Sequence, residues 1–227
     1  MKNICIIPAR GGSKRIPNKN IVDFYGKPLI SYTIEAAIES NLFGEDIYVS
    51  SDSDVILSVA DSYKNRGVQK ILRPTLISGD DATLEDVSIH TLKTLNQNFD
   101  YLCILLPSCP LRNKEDIKSS FELIVKQRVN ALMSVVDYHW LYPFWALEEK
   151  NSGLDFFFGK KYLIDSKRLP KVYCPSGAIR WVNVANFLKE KKFYSKDLIK
   201  YVIPFERGTD IDTHEDLELA KKLFKIL

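Results

Sequence analysis

Short apolar runs rich in β-branched residues alternate along this chain with longer segments of helical period. Residues 3–8, 46–50 and 101–106 have the pattern of strands, and each leads through a turn or loop into a helical segment. This alternation is typical of βαβ units, whose consecutive strands lie parallel with helices packed against them. It restricts the chain to an α/β fold, a mainly parallel sheet sandwiched by helices, in which ligands bind beyond the carboxyl ends of the strands.

The remaining elements extend the same pattern over the whole chain. Helices are predicted at residues 29–40, 54–66, 84–95, 114–126 and 214–224, and further strands at 131–136, 179–182 and 201–204. In the first helix Ile30, Ile34 and Ile38 recur every four residues, the spacing of one buried helical face. We predict a single domain over residues 1–227.

One region, approximately residues 138–174, departs from this alternation. It is rich in aromatic residues and also carries basic ones, namely Tyr138, Trp140, Tyr142, Phe144, Trp145, Phe156, Phe157, Phe158, Tyr162 and Tyr173, with Lys160, Lys161, Lys167, Arg168 and Lys171 among the basic residues. The region is either a β-rich insertion packed on its own domain or an arm at a subunit interface, since aromatic residues are enriched in interface cores. The sequence favours neither interpretation.

Charge, hydropathy and cysteine content exclude several classes of protein. Lysine and arginine number 32 and aspartate and glutamate 29, so the net charge of +3 is too small to indicate a nucleic-acid partner. No stretch reaches the roughly 18 to 20 apolar residues of a membrane span. The four cysteines form no CxxC pair, which predicts a reducing compartment, the cytoplasm, and no zinc site.

A basic, glycine-containing loop follows the first predicted strand. It carries four cations, two glycines and a serine: Arg10, Lys14, Arg15, Lys19, Gly11, Gly12 and Ser13. The glycines permit positive φ angles and close approach, so that backbone N–H groups line a concavity, while the cations neutralise phosphate charge. The loop fits neither GxxxxGK[ST] nor GxGxxG, so it is not a P-loop or a dinucleotide fingerprint. We predict a polyphosphate site here, the alternative being a mobile, solvated loop.

The segment DIDT at 210–213 follows the last predicted strand. Residues two apart in extended chain project to one side, so Asp210 and Asp212 are able to present two carboxylates to a hard cation such as Mg²⁺. The alternative is that the segment only caps the last helix, because Thr213 and Asp216 resemble a capping box. Together with the basic loop, the pair of carboxylates predicts a metal–nucleotide site.

Weaker candidates lie at the same predicted edge. Asp52 is predicted either to lie near a nucleotide or to cap the next helix. For Arg73 the alternatives are a base or phosphate contact and a surface ion pair. Thr83 is assigned to the nucleotide site and is also a candidate N-cap. The three histidines, His90, His139 and His214, have no ligand spacing and receive no catalytic role.

Five motifs, in order along nearly the whole chain, resemble those of the acylneuraminate cytidylyltransferase family, the CMP-sialic acid synthetases and their relatives. They are IPARGGSKRIPNKN at 7–20, RP at 73–74, PSCPLR at 107–112, PSGAI at 175–179 and DIDT at 210–213. The resemblance implies a fold like that of the nucleotide-diphospho-sugar transferases, usually in a homodimer whose arm reaches the partner. It also implies CMP transfer from CTP to the anomeric hydroxyl of an acidic nine-carbon sugar, with Mg²⁺ and release of pyrophosphate.

The resemblance also implies roles for individual residues. Arg10, Ser13, Lys14 and Lys19 fall on the triphosphate loop, Asn20 and Arg73 on nucleotide contacts, and Asp210 and Asp212 on the metal carboxylates. Catalysis is thereby assigned to Arg10, Lys14, Lys19 and Asp212. The proton of the attacking hydroxyl goes either to Asp212 or to a water on the metal.

Two departures from the sialic acid enzymes concern the sugar. Leu106 stands where those enzymes usually have glutamine, and Cys174 where the arm supplies arginine. Because an apolar side chain does not replace lost hydrogen bonds, we predict a different nonulosonate, of the pseudaminic or legionaminic kind or another acidic surface sugar. Its carboxylate is assigned to Arg168, Lys171 or Arg180, and a less polar sugar to a pocket lined by Trp140, Tyr142 and Trp145.

Two other functions remain open at this point. A GT-A-like glycosyltransferase also combines an α/β nucleotide half with a DxD pair, but its donor is a diphosphate and needs no basic triphosphate loop. A CTP-binding protein without catalysis is the other alternative, suggested by the changed residues on the sugar side.

Overall fold

The computed structural model describes residues 1–150 and 153–227, and its elements follow the predicted alternation. The strands are β1 (Asn3–Pro8), β2 (Asp23–Phe24), β3 (Lys27–Pro28), β4 (Ile47–Ser51), β5 (Val68–Leu72), β6 (Tyr101–Ile104), β7 (Ala131–Asp137), β8 (Leu147–Lys150), β9 (Gly153–Phe156), β10 (Tyr173–Asn183) and β11 (Ile199–Val202). The α-helices are α1 (Leu29–Glu39), α2 (Asp54–Asp61), α3 (Leu84–Leu95), α4 (Lys114–Gln127), α5 (Val184–Glu190) and α6 (His214–Phe224).

Seven strands form the central sheet in the order β11-β7-β10-β6-β1-β4-β5. Strand β10 runs antiparallel to both of its neighbours, β6 and β7, and the other neighbouring strands are parallel. The prediction of a mainly parallel sheet is therefore confirmed. The parallel strands end at one edge, so the segments that follow β1, β4 and β6 meet there.

Helices cover both faces of the sheet, as predicted. Because side chains alternate along a strand, Cys5 and Ile7 of β1 pack on the face covered by α1, α2 and α4. Ile4 and Ile6 pack on the opposite face with residues of α3 and α5. All four side chains are fully buried. Burial on both faces explains why the strands are continuous apolar runs without a polar alternation.

Several predicted boundaries are wrong by a few residues. The helix predicted to reach residue 66 ends at Asp61, and a 3₁₀ turn leads to Gly67, whose φ is +84°. A Cβ at Gly67 would lie 2.9 Å from the Gly44 carbonyl oxygen, so this turn needs glycine. The strand predicted at 179–182 is the end of the eleven-residue β10, whose Pro175 and Gly177 conceal its extended pattern. Helix α5 was not predicted.

The inserted region forms a small unit outside the central sheet. Strands β8 and β9 pair antiparallel, and the Trp145 indole N–H donates to the Tyr162 carbonyl 2.8 Å away. Near the predicted end of the insertion, at about residue 174, Tyr173 already pairs with Asp137 in the central sheet. Trp140 is 78% exposed and Phe157 60%. The insertion is therefore a hairpin unit with apolar side chains on its surface. No helix in the described part of the chain is long and apolar enough to cross a membrane.

Candidate active site

A cleft of about 490 Å³ opens at the carboxyl edge of the sheet. Its walls come from the loop after β1, the segment after β6, and the segments that precede α3 and α6. Its lining includes predicted site residues, namely Arg10, Ser13, Lys14, Lys19, Asn20, Arg73, Thr83 and Asp212, together with Arg15, Asp80, Leu106 and Ser108. The structure therefore brings the basic loop and Asp212 together from opposite ends of the chain.

The basic loop is held by hydrogen bonds from two directions. The Asn20 amide donates to the Arg10 carbonyl at 2.9 Å, and the Gly11 N–H donates to Oδ1 of Asp52 at 2.9 Å. A Cβ on Gly11 would lie 3.0 Å from the Ser53 Cβ, so glycine is needed for close packing. The expected positive φ is wrong for both Gly11 and Gly12. Asp52 thus supports the loop, and its carboxylate does not cap α2.

Arg73 lies buried beside the cleft. Only 6% of the residue is exposed, and its guanidinium donates to the Ser50 carbonyl at 2.6 Å and to the Ser50 hydroxyl at 3.3 Å. The predicted alternative of a surface ion pair is therefore wrong. Burial lowers the pKa of this guanidinium, Asp52 opposes that change, and Arg10 adds to it. An arginine fixed in this way presents its charge in a constant position.

Asp80 is the acidic partner of two loop cations. Its carboxylate lies 2.8 Å from Nη1 of Arg10 and 2.5 Å from Nζ of Lys14. Hydrogen bonds from Lys14 and then Arg10 lower the pKa of this carboxyl, which keeps it ionised. The sequence did not point to Asp80, because no local pattern links positions 66 to 70 residues apart.

Asp212 pairs with the other two loop cations. Nζ of Lys19 lies 3.0 Å from Oδ1, and Nη2 of Arg15 lies 3.0 Å from Oδ2. Burial raises the pKa of Asp212, but Lys19 and Arg15 outweigh burial and hold it below its ordinary value. The predicted Thr213–Asp216 capping box is present, and Asp216 also accepts the Asp212 N–H at 3.0 Å. The cap therefore orients Asp212 and does not compete with a role in the site.

Asp210 precedes Asp212 by two residues, but it is not among the residues that line the cleft. Ile211 between them is fully buried, and its N–H donates to the Ser108 carbonyl at 2.8 Å. Asp210 is exposed, and its Oδ2 is 3.3 Å from the position that a Cβ on Gly177 would occupy. In the described part of the chain Asp210 forms no ion pair within 4.0 Å. Joint binding of a cation by the two carboxylates stays a prediction.

Thr83 lies at a position that is compatible with both of its predicted roles, nucleotide contact and helix capping. It lines the cleft, and its hydroxyl accepts the Asp86 N–H at 3.1 Å as the N-cap of α3. A capping box is complete, because Asp86 in turn accepts the Thr83 N–H. The prediction of an N-cap is therefore confirmed, while contact with a nucleotide stays a prediction.

The residues assigned to the sugar lie outside the cleft lining. Arg168 is exposed on the insertion, and Lys171 has its Nζ 3.9 Å from Asp137. Arg180 lies on β10, opposite Ile104 and Met133, with its Nε buried and without a hydrogen-bond partner in the described chain. The predicted aromatic pocket residues, Trp140, Tyr142 and Trp145, do not line this cleft either.

Arg112 is a second residue that sequence reasoning missed. It is 2% exposed, and its guanidinium donates to the Ala178 carbonyl at 2.7 Å, to the Thr33 hydroxyl at 3.0 and 3.1 Å and to the Leu106 carbonyl. These acceptors belong to an irregular stretch of β10, to α1 and to the cleft wall. Arg112 thus joins three elements beneath the site.

Comparison with known proteins agrees with this geometry. The cytidylyltransferase family model matches residues 4–140. The chain is 37% identical over its full length to a pseudaminic acid cytidylyltransferase of Campylobacter jejuni, covering 97% of that protein. The chain belongs to the cytidylyltransferase family. This cytidylyltransferase is accordingly a nucleotidyltransferase enzyme, as predicted.

Two further proteins resemble this chain, one in sequence and one in structure. An N-acylneuraminate cytidylyltransferase of Streptococcus agalactiae is 34% identical over 95% of this cytidylyltransferase, which spans 52% of that protein. A CMP-2-keto-3-deoxy-manno-octonic acid synthetase, solved with CTP, superposes with a TM-score of 0.72 over 100% of this chain and 99% of that one, at 16% identity. The second likeness confirms the predicted fold.

Proposed function

We propose that this cytidylyltransferase transfers CMP from CTP to the anomeric hydroxyl of a nonulosonate of the pseudaminic type. The observation that carries the proposal is the cleft itself, where two cations of the loop after β1 face Asp212 and the other two face Asp80, at the carboxyl edge of the sheet. A triphosphate needs such cations, and a metal nucleotide needs the carboxylate. The four cysteines are unpaired, which supports a reducing, cytoplasmic location.

The chemistry is an in-line displacement at the α-phosphorus of CTP. The oxygen of the sugar hydroxyl forms a bond to this phosphorus, the bond to the bridging oxygen of the β-phosphate breaks, and pyrophosphate leaves with that electron pair. Arg10, Lys14 and Lys19 stabilise the charge on the phosphate oxygens, and the rigid cleft aligns the reactants. The hydroxyl proton leaves as the new bond forms, and the Asp212 carboxylate is a candidate acceptor, although Lys19 and Arg15 hold the pKa of that carboxyl below its ordinary value.

The donors present fit a magnesium ion. Mg²⁺ typically takes one or two carboxylates and completes its shell with phosphate oxygens and water, so it does not need a cage of protein ligands. Asp210 and Asp212, two residues apart, would supply two hard oxygen donors. No group of three or more such ligands occurs among the residues that the structure describes. When bound, the ion would offset negative charge on the triphosphate.

Three features favour a pseudaminic-type sugar over N-acetylneuraminate. The pseudaminic acid enzyme of C. jejuni matches this chain over its full length. The apolar Leu106 lines the cleft and offers no hydrogen bond to a polar sugar. Cys174, near the start of β10, stands where the sialic acid enzymes supply arginine, so the contacts to the sugar differ from theirs. A sugar with fewer hydroxyl groups loses less on entering such a site.

The proposed function is tested by measuring pyrophosphate release from CTP and Mg²⁺ with a panel of acidic sugars. The panel contains pseudaminic, legionaminic, N-acetylneuraminic and 3-deoxy-octulosonic acids. We expect turnover with pseudaminic acid at a kcat/KM at least tenfold above that for N-acetylneuraminic acid. Equal or greater turnover of N-acetylneuraminic acid would contradict the sugar assignment. Binding of CTP with no turnover of any sugar would favour the alternative of a non-catalytic CTP-binding protein.

Arg180 is the best supported of the three candidates for the sugar carboxylate. It lies on a strand of the central sheet, and its buried Nε has no partner among the described residues, whereas Arg168 is exposed on the insertion. Arg180→Met should raise the KM of the sugar roughly tenfold or more and leave the KM of CTP unchanged, because a charged hydrogen bond contributes about 1.5 to 3 kcal/mol.

Steady-state kinetics with each substrate varied in turn measures the two KM values. Lys189→Met is a matched control, since Lys189 is an exposed cation on α5 and forms no ion pair in the described chain. An unchanged sugar KM in Arg180→Met would move the assignment to Arg168 or Lys171. An equal rise of both KM values would show a general distortion of the site.

We also propose that two copies associate through the insertion. Its exposed aromatic side chains, among them Trp140 and Phe157, form an unpartnered apolar surface beside the central sheet. Sedimentation equilibrium should give about twice the chain mass of 26.1 kDa. Trp140→Ser with Phe157→Ser should shift the protein toward the monomer, and a wild-type protein that sediments as a monomer would contradict the proposal.

The glycosyltransferase alternative does not agree with the family. The cytidylyltransferase model covers the basic loop and most of the cleft wall. Each loop cation points at a carboxylate in the cleft, so the charge needed for a triphosphate is in place. Release of pyrophosphate separates the two reactions, because a glycosyltransferase releases a nucleoside phosphate.

A further inference from the structure

The four cations of the basic loop are matched by two aspartates in the described structure. Lys19 and Arg15 pair with Asp212, a residue proposed for the reaction. Arg10 and Lys14 pair with Asp80, to which no role has been assigned. The Gly79 carbonyl also lies 3.4 Å from Nη1 of Arg10. The loop before α3 therefore covers two of the four cations, Arg10 and Lys14.

The Asp80 carboxylate contacts the two cations in the way that a phosphate group would. Its two oxygens divide between the two cations, Oδ1 to Arg10 and Oδ2 to Lys14, as two oxygens of a polyphosphate would. Asp80 is 51% exposed and Lys14 77%, so the contacts can be exchanged for others without disturbing the core. A nucleotide that uses these cations has to displace the carboxylate first.

We propose that Asp80 competes with the phosphates of the nucleotide for Arg10 and Lys14 and so limits how tightly CTP binds. The inference rests on the proposed function, in which Arg10 and Lys14 hold the triphosphate. A nucleotide whose phosphates reach both cations has to displace both contacts of Asp80. A shorter nucleotide that reaches only one cation displaces only one contact. Asp80 therefore weakens the binding of CTP more than that of CDP or CMP.

The neighbouring Asp81 provides a matched control. It is exposed, lies in the same loop and carries the same charge, but it forms no ion pair in the part of the chain that the structure describes. Asp80→Asn and Asp81→Asn remove the same charge from the same segment. Only the first removes the contacts with Arg10 and Lys14, so a difference between the variants reports those contacts and not net charge.

Isothermal titration of CTP, CDP and CMP in the absence of sugar measures the effect without turnover. Exposed ion pairs are weak, so Asp80→Asn should tighten CTP only roughly three- to tenfold. CDP should tighten less than CTP, so the ratio of the CDP to the CTP dissociation constant rises. Asp81→Asn should leave this ratio unchanged. High salt should reduce the difference between the variants, because exposed charges are screened.

The possible outcomes separate this inference from the proposed function. A ratio that is the same in Asp80→Asn as in the wild type would overturn the inference, as would a weaker binding of all three nucleotides. Wild-type protein that fails to bind CTP would instead overturn the proposed function. Wild-type turnover of CTP and sugar together with an unchanged ratio would leave the proposed function intact and remove only the role of Asp80.

Discussion

Asp212→Asn should lower kcat for pyrophosphate release by about a hundredfold or more and should not weaken the binding of CTP. Asp212 is the carboxylate between Lys19 and Arg15, and it is a proposed donor to the metal. An ion at the reacting phosphate is worth several kcal/mol in the transition state, and 1.36 kcal/mol corresponds to a factor of ten. Loss of the carboxylate also frees two cations for phosphate, so the dissociation constant of CTP should stay the same or fall.

Initial rates of pyrophosphate release, and titration of CTP without metal, measure the two effects separately. Glu218→Gln is the matched control, since Glu218 is an exposed carboxylate on α6 that pairs only with Lys221 in the described chain. A kcat in Asp212→Asn within threefold of the wild type would contradict the role in the reaction. A large loss of CTP binding would indicate instead that Asp212 holds the basic loop in place.

Arg112→Met should lower the free energy of unfolding by about 3 kcal/mol, the largest effect on stability that we expect from one substitution. The buried guanidinium satisfies two carbonyls and a hydroxyl, and each buried acceptor left without a donor costs about 1 to 3 kcal/mol. The substitution also removes a buried charge that has no carboxylate partner in the described chain, and this gain offsets part of the cost. For a chain of this size the loss corresponds to a fall in Tm of roughly 6 to 12 °C.

Thermal unfolding followed by circular dichroism measures this change. Arg128→Met is the matched control, because Arg128 is an exposed arginine at the end of α4 whose side chain forms no hydrogen bond in the described chain. A fall in Tm of less than 2 °C in Arg112→Met would show that water or neighbouring groups satisfy the carbonyls of Leu106 and Ala178.

The fold was largely predictable because its signals are local. Buried strands are short apolar runs, and helices repeat apolar residues every three or four positions. Both patterns can be recognised without knowing which segments lie next to them in space. The prediction failed where this rule no longer applies. Pro175 and Gly177 interrupt the apolar pattern of β10, yet the strand continues on both sides of an irregularity between Pro175 and Arg180. Its antiparallel direction follows from pairing with β6 and β7, which no local pattern records.

The site was predictable in its residue types and not in its contacts. The basic loop and the DIDT segment were recognised because their charges are concentrated within a few positions. Their meeting was expected, since both follow strands that end at one edge of the sheet. The partner of each cation was not predictable. Asp80 lies 66 to 70 residues from its partners and Asp212 about 190, and only packing decides such distances.

The motifs of this chain resemble those of a nucleotidyltransferase family, and the sequence by itself determined an α/β fold with a basic loop and a pair of carboxylates. These properties depend on residue type and on spacing over fewer than about fifteen positions. The tertiary structure alone decided that Arg112 lies buried beneath the cleft and that Asp80 covers Arg10 and Lys14. Burial and ion pairing between distant segments are set by how the sheet and helices pack, because a charge interacts with whatever lies within a few ångströms, whatever its place in the chain.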